Sequence, residues 1–280
     1  MKKSALICAG ITALFLAASP ARAVHTKAGP FQKVMVIVFE NSDYKDALDQ
    51  TYFAKFAKSG VLLTDHHAVT HPSQGNYIAL IAGDQLGVDS DDDINLNASH
   101  IGDLLEAKGK TWRVYAEAYP GNCFLKSFSR PYARKHNPFI SFADVQHNPD
   151  RCRNIVNASK LKDDVQNGTL ADYSFYVPDL NNDGHDTGVI FADKWFSRTF
   201  SPLLQNPSFM SGMLIVATFD EGERDATNHI YTALVGAGIT PGSTYTKPSN
   251  HYSLLRLIED GFGLGTLGRK DSEAATIDIF

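Results

Sequence analysis

Uninterrupted apolar runs alternate along this chain with stretches of helical spacing. After its lysine, Lys33 to Phe39 is apolar throughout and stops at Glu40 and Asn41, as does a strand buried on both faces of a parallel sheet. Met213 to Phe219 is a second such run and stops at Asp220 and Glu221. Two buried strands thus deliver carboxylates at their C-terminal ends. The patterns predict further strands over 112–116, 173–177 and 230–235, and helices over about 46–58, 76–82, 99–108, 189–204 and 251–260. This alternation predicts an α/β fold, a mostly parallel central sheet covered by helices on both faces. In such sheets ligands bind just beyond the carboxyl ends of the strands. Residues 120–157, rich in Pro, Asn, Arg and Phe without clear period, read as a long ordered insertion near that cleft.

The first 23 residues change the picture of what works. Lys2 and Lys3 precede an apolar stretch from about Ala5 to Ala18 and the small-residue triplet Ala21-Arg22-Ala23. This is the pattern of a secretory signal peptide, too short for the roughly 20 residues of a membrane span. Cleavage after Ala23 leaves 257 of the 280 residues, expected as one catalytic domain over 24–280, and takes the formal charge from -5 to about -8. Secretion or a periplasmic location follows. The scattered lysines and arginines give no nucleic-acid face, and no later segment is a membrane anchor. Cys8 leaves with the signal peptide. Cys123 and Cys152 remain, and an oxidising compartment favours their pairing, two buried thiols being the alternative.

Five polar clusters sit at strand ends or helix starts. Glu40-Asn41 offers hard oxygen ligands for a divalent cation, or a helix cap. In Thr70-His71-Pro72-Ser73-Gln74-Gly75-Asn76-Tyr77, Ser73 stands at a helix start, where free N–H groups and the helix dipole favour an anionic oxygen; a plain N-cap is the bland reading. Pro178 to Asp186 imitates a calcium loop, but Ile190 occupies the position where such a loop needs a bidentate Glu. A loop facing metal or phosphate, with His185 as ligand or proton donor, fits better. Asp220-Glu221 can face one site only if the strand has ended and the chain turns, which Gly222 permits. His251, in Asn250-His251-Tyr252-Ser253, opens a helix and serves a cap or a site.

Taken in order, Phe39-Glu40-Asn41-Ser42-Asp43-Tyr44, Thr70 to Tyr77, Asn182-Asp183-Gly184-His185-Asp186, Thr218-Phe219-Asp220-Glu221 and Asn250-His251-Tyr252-Ser253 resemble the phosphoesterase family of secreted acid phosphatases and bacterial phospholipases C. Arg134-Lys135-His136-Asn137-Pro138 and Thr266 to Asp271 resemble its smaller acid-phosphatase branch. The resemblance implies an alkaline-phosphatase-like three-layer sandwich. It implies Ser73 as nucleophile and Glu40, Asn41, Asp220 and Glu221 as ligands of at least one divalent metal (Ca, Mg, Mn or Zn). His185 and His251 match active-site histidines, with Asn76 and Asp186 as substrate-binding companions and Asp183 beside them. Gly75-Asn76 replaces the Pro-Asn of many members. Asp220-Glu221 replaces the Asp-His pair of two-zinc relatives.

The implied chemistry is attack of Ser73 on phosphorus, a phosphoserine intermediate and its hydrolysis. His185 or His251 protonates the leaving oxygen, in keeping with an acidic optimum, since imidazolium dominates below about pH 6.5. Small phosphomonoesters are the expected substrates. A phosphoinositide phosphatase or a phospholipase C-type phosphodiesterase is the alternative within the family. Outside it stands a serine esterase, for which Ser73, Asp220 and His251 follow the α/β-hydrolase order but the first glycine of Gly-x-Ser-x-Gly is missing. A non-enzymatic calcium-binding module, using Asp89 to Asp93 as well, leaves Ser73 and both histidines without roles.

Overall fold

The computed structural model describes residues 31–280; the expected signal peptide lies outside the described residues. The central sheet contains β1 (Lys33–Phe39), β2 (Val61–Leu63), β3 (Trp112–Ala116), β4 (Ile155–Asn157), β5 (Tyr173–Val177), β6 (Met213–Phe219), β7 (Thr232–Gly236) and β8 (Ser243–Tyr245). Their order is β8-β2-β7-β6-β1-β5-β3-β4. β7 runs antiparallel to both neighbours, and the other pairings are parallel. The two longest apolar runs lie side by side at the centre, as their unbroken burial requires.

Period-2 alternation along β1 divides the interior. Val34, Val36 and Val38 face one core with Tyr77, Ile78, Ile81, Leu254, Leu255 and Ile258. Those residues come from α2 (Ser73–Ala82) and α4 (His251–Phe262). Met35, Ile37 and Phe39 face the other core, with Phe53, Phe56, Trp195 and Phe196 from α1 (Thr51–Lys58) and α3 (Val189–Leu204). The Phe39 ring meets Phe53 edge-on at 4.9 Å and Phe196 at 5.1 Å, so its truncation to Ala costs about 3–5 kcal/mol. Both flanks are thus filled and the sheet's carboxyl end is left for chemistry.

The structure departs from expectation in local detail. The predicted helix over 46–58 is two, Tyr44–Leu48 and Thr51–Lys58. α2 begins at Ser73 itself, and Lys160–Asn167 is a further helix. The insertion builds order from pieces too short to show a period. A hairpin pairs Phe128–Ser129 with Tyr132–Ala133, 3-10 turns follow, and Cys123 is disulfide-bonded to Cys152. Arg134, 3% exposed, donates to the Leu125 carbonyl at 2.8 Å and the Asn95 side chain at 3.0 Å, which fixes the turn carrying His136.

Candidate active site

The register of β1 on β6 pairs Phe39 with Phe219, so the next residues of each strand, Glu40 and Asp220, stand side by side. Asp220 N–H still donates to the Phe39 carbonyl at 2.9 Å, after which the chains turn. Asn41 turns at φ 40°, a conformation asparagine tolerates better than most residues, and its N–H donates to Asp220 Oδ1 at 3.1 Å. Gly222 is needed for space rather than for a left-handed turn. A Cβ there would lie 2.9 Å from Asp43 Oδ1, which caps the following N–H groups of Glu223, Arg224 and Asp225. Gly75 is likewise spatial, since a Cβ would stand 2.7 Å from Thr70 Cγ2.

Ser73, the first residue of α2 and 2% exposed, points its hydroxyl into this cluster. Its Oγ lies 3.0 Å from Glu40 Oε2, 3.2 Å from Glu221 Oε1 and 3.4 Å from Asn41 Oδ1. Four residues later, Tyr77 is on the same helix face and donates to Glu40 Oε1 at 2.5 Å. Asn76 is engaged with protein: its Oδ1 accepts from Val69 and Thr70 N–H and its Nδ2 donates to the Thr70 carbonyl. It therefore anchors the segment leading into Ser73. His71 Nδ1 lies 2.7 Å from Glu221 Oε2.

Burial sets the electrostatics. Loss of hydration, with Glu221 beside it, pushes the Asp220 carboxyl up to about 8, and burial pushes Glu221 to about 7. Glu40 and Asp183 are raised well above the carboxylate range by burial and by Asp220. Such crowding favours either shared protons or a cation. The donor set fits a divalent ion: Asp220 Oδ2 is buried without a hydrogen-bond partner, and the ligand atoms of Glu40, His136 and Asp183 lie within 4.8 Å of one another. His136 is 3.2 Å from Glu40 Oε1 and 3.1 Å from Asp183 Oδ2, with its ring stacked on Tyr77.

The two expected histidines part company. His251 is fully buried and donates from Nε2 to the Asp220 carbonyl at 2.7 Å, while burial lowers it to about 4. It is a neutral prop beneath Asp220 and not the imidazolium facing a leaving group that was expected. His185 is partly exposed, its Nδ1 2.8 Å from Asp186 Oδ1, and Arg130 holds the other oxygen of Asp186 at 3.2 Å. Asp186 is thus placed to orient His185. His185, Asp186, Asn41 and Arg224 line a cleft of about 600 Å³. Sequence reading missed His136 and Tyr77 as site residues. The i, i+4 spacing from Ser73 to Tyr77 was a usable signal; His136 had none beyond its place in a family-like motif.

Comparisons with known proteins bear on the family and the fold. The family model for the Phosphoesterase family matches residues 42–265. The chain is 37% identical over 262 residues to a probable acid phosphatase of Kluyveromyces lactis, across 89% of this chain and 62% of that protein. It therefore spans less than two thirds of the length of that fungal relative. It is 28% identical over 281 residues to a phosphatidylinositol-3-phosphatase of Mycobacterium tuberculosis, across 98% of this chain and 92% of that protein. A solved structure of an alkaline phosphatase superfamily protein from Vibrio parahaemolyticus aligns with a TM-score of 0.62 at 11% identity, over 89% of this chain and 71% of that one, which shows the shared fold.

Proposed function

This chain belongs to the phosphoesterase family, and on that premise we propose that it is an exported, metal-dependent phosphomonoesterase acting through Ser73. The observation that carries this reading is the Ser73 hydroxyl, buried at a helix start with oxygens of Glu40, Glu221 and Asn41 all within 3.4 Å. Glu40, Asn41, Asp220 and Glu221 would hold the divalent cation, with His136 and Asp183 at its border. Bound there, a cation would lower the pKa of the Ser73 hydroxyl and polarise a phosphoryl oxygen.

Ser73 gives up its proton along the hydrogen bonds it already makes to carboxylates and forms an Oγ–P bond as the ester P–O bond breaks. The head of α2, where Asp91 Oδ1 already accepts the Gln74 N–H at 3.0 Å, favours negative charge through the helix dipole. His185 hands a proton to the departing oxygen from Nε2, because Asp186 engages Nδ1 at 2.8 Å. His185, now neutral, takes a proton from the water that attacks phosphorus, the Oγ–P bond breaks, and phosphate leaves as Ser73 regains its proton from the carboxylates. The Cys123–Cys152 disulfide supports action outside a reducing compartment. Among the described residues no helix is long and apolar enough to cross a membrane.

The test is phosphate release from p-nitrophenyl phosphate with and without chelator, beside bis-p-nitrophenyl phosphate and a phosphoinositide monophosphate. Chelator-sensitive cleavage of the monoester, with an optimum below pH 7 and little diester turnover, is expected. Equal turnover of the diester overturns the monoesterase assignment. A phosphoinositide as the best substrate would align this chain with its mycobacterial relative.

A further inference from the structure

Segment 178–188 carries Asp183 and His185 into the site, and Glu117 on its far side contacts both the start of the segment and the helix that follows it. Glu117 comes one residue after β3, and its N–H donates to the Val177 carbonyl at 2.9 Å, so its backbone is fixed by the sheet. Its carboxylate accepts four hydrogen bonds. Oε2 takes Asn182 Nδ2 at 2.7 Å and the Asp179 N–H at 3.1 Å, both from the segment. Oε1 takes the Tyr176 hydroxyl at 3.0 Å and Trp195 Nε1 at 3.2 Å, from the end of β5 and from α3. Tyr176 and Trp195 are 3% and 2% exposed, so that half of the clamp is set in the core.

The far end of the segment shows what the clamp governs. Asn182 is adjacent to Asp183, whose Oδ1 accepts the His185 N–H at 2.8 Å and whose Oδ2 meets His136 at 3.1 Å. The Asp183 carbonyl also accepts the Glu40 N–H at 3.0 Å. A shift of Asn182 therefore moves a carboxylate and a histidine of the site together. We propose that Glu117 is a positioning residue, which fixes the 178–188 segment to the sheet and so sets the placement of Asp183 and His185; its effect on turnover rests on the phosphatase reading above.

Glutamine at this position tests the idea because it keeps the shape. An amide has one acceptor oxygen for two pairs of donors, so either flip sets N–H against N–H. Glu117→Gln, and Asn182→Ala as a variant that leaves Glu117 in place, are expected to raise amide hydrogen exchange over 179–188 at least tenfold while β1 and β6 stay protected. Both are expected to lower kcat on p-nitrophenyl phosphate by about 10- to 100-fold with KM little changed, the scale seen when support of an active-site ligand is lost. Tyr176→Phe, which removes a donor from the fixed half only, should keep kcat within about twofold. The proposal is overturned if the segment in Glu117→Gln exchanges as in the parent, or if it loosens while kcat stays within twofold. It is also overturned if Tyr176→Phe loses activity as severely as the other two. Should the parent hydrolyse no phosphomonoester, the functional reading fails, and hydrogen exchange alone decides whether Glu117 holds the segment.

Discussion

His251 Nε2 lies 2.7 Å from the main-chain carbonyl oxygen of Asp220, so a fully buried, neutral imidazole supports the turn that presents one of the proposed cation ligands. His251→Ala should weaken divalent-metal affinity about tenfold or more, with turnover largely restored at saturating metal. His251→Gln, whose amide can donate to the same carbonyl, should recover much of the affinity. Titration calorimetry measures the first effect. A rate loss that persists at saturating metal would instead make His251 a proton donor.

Ser73→Ala should abolish turnover and leave thermal stability close to the parent's, since a methyl group fits the space but cannot attack phosphorus. Retention of more than about a tenth of the parental rate, a loss under roughly 1.4 kcal/mol, would remove Ser73 from the role of nucleophile.

The crowded carboxylates make a pH prediction for protein stripped of metal. Asp220 at about 8 and Glu221 at about 7 bind more protons folded than unfolded at neutral pH. Their contribution to stability is complete below their unfolded values near 4 and is lost as pH rises through 7 and 8. Buried His251 acts in the opposite sense, costing stability as pH falls from about 6.5 towards 4, so it is silent above that range. The Tm of chelated protein should therefore fall between pH 6.5 and 8.5, and added divalent cation should raise it most at the upper end. A flat or rising Tm in chelator would contradict this account.

Glu259 offers a stability test remote from the site chemistry. Burial, and then the neighbouring Asp271, push it up to about 9. Held protonated at neutral pH, it costs stability between about 4.5 and 9 relative to an uncharged isostere. Glu259→Gln should raise Tm at pH 8 and change it far less at pH 4.5, by scanning calorimetry of the metal-loaded protein. Destabilisation at pH 8 would mean that the carboxyl makes a contact the amide cannot.

Much of this arrangement was legible in the chain. The run from Lys33 to Phe39 forecast both the central strand and the placement of Glu40 at its end, and Met213 to Phe219 did the same for Asp220. What escaped was set by length or by tertiary contact. Val61–Leu63 and Ser243–Tyr245 have three residues each, too few to show a period, and the reversal of β7 depends on a register that no local pattern encodes. His136 rests on buried Arg134 and a stack against Tyr77, partners distant from any helical or strand repeat. His251 looked like a helix-start histidine open to a ligand. Asn250 does cap that helix, which turns His251 inward beneath Asp220.

The bond between Cys123 and Cys152 spans 29 residues that include both Lys135 and His136. In the uncrosslinked chain that loop has more freedom to lose on folding, by about 3–4 kcal/mol on a chain-entropy account. The same loop lends Phe139, Phe142 and Val145 to the core beside Val114 and Phe175, so one covalent bond braces both a wall of the site and a flank of the sheet.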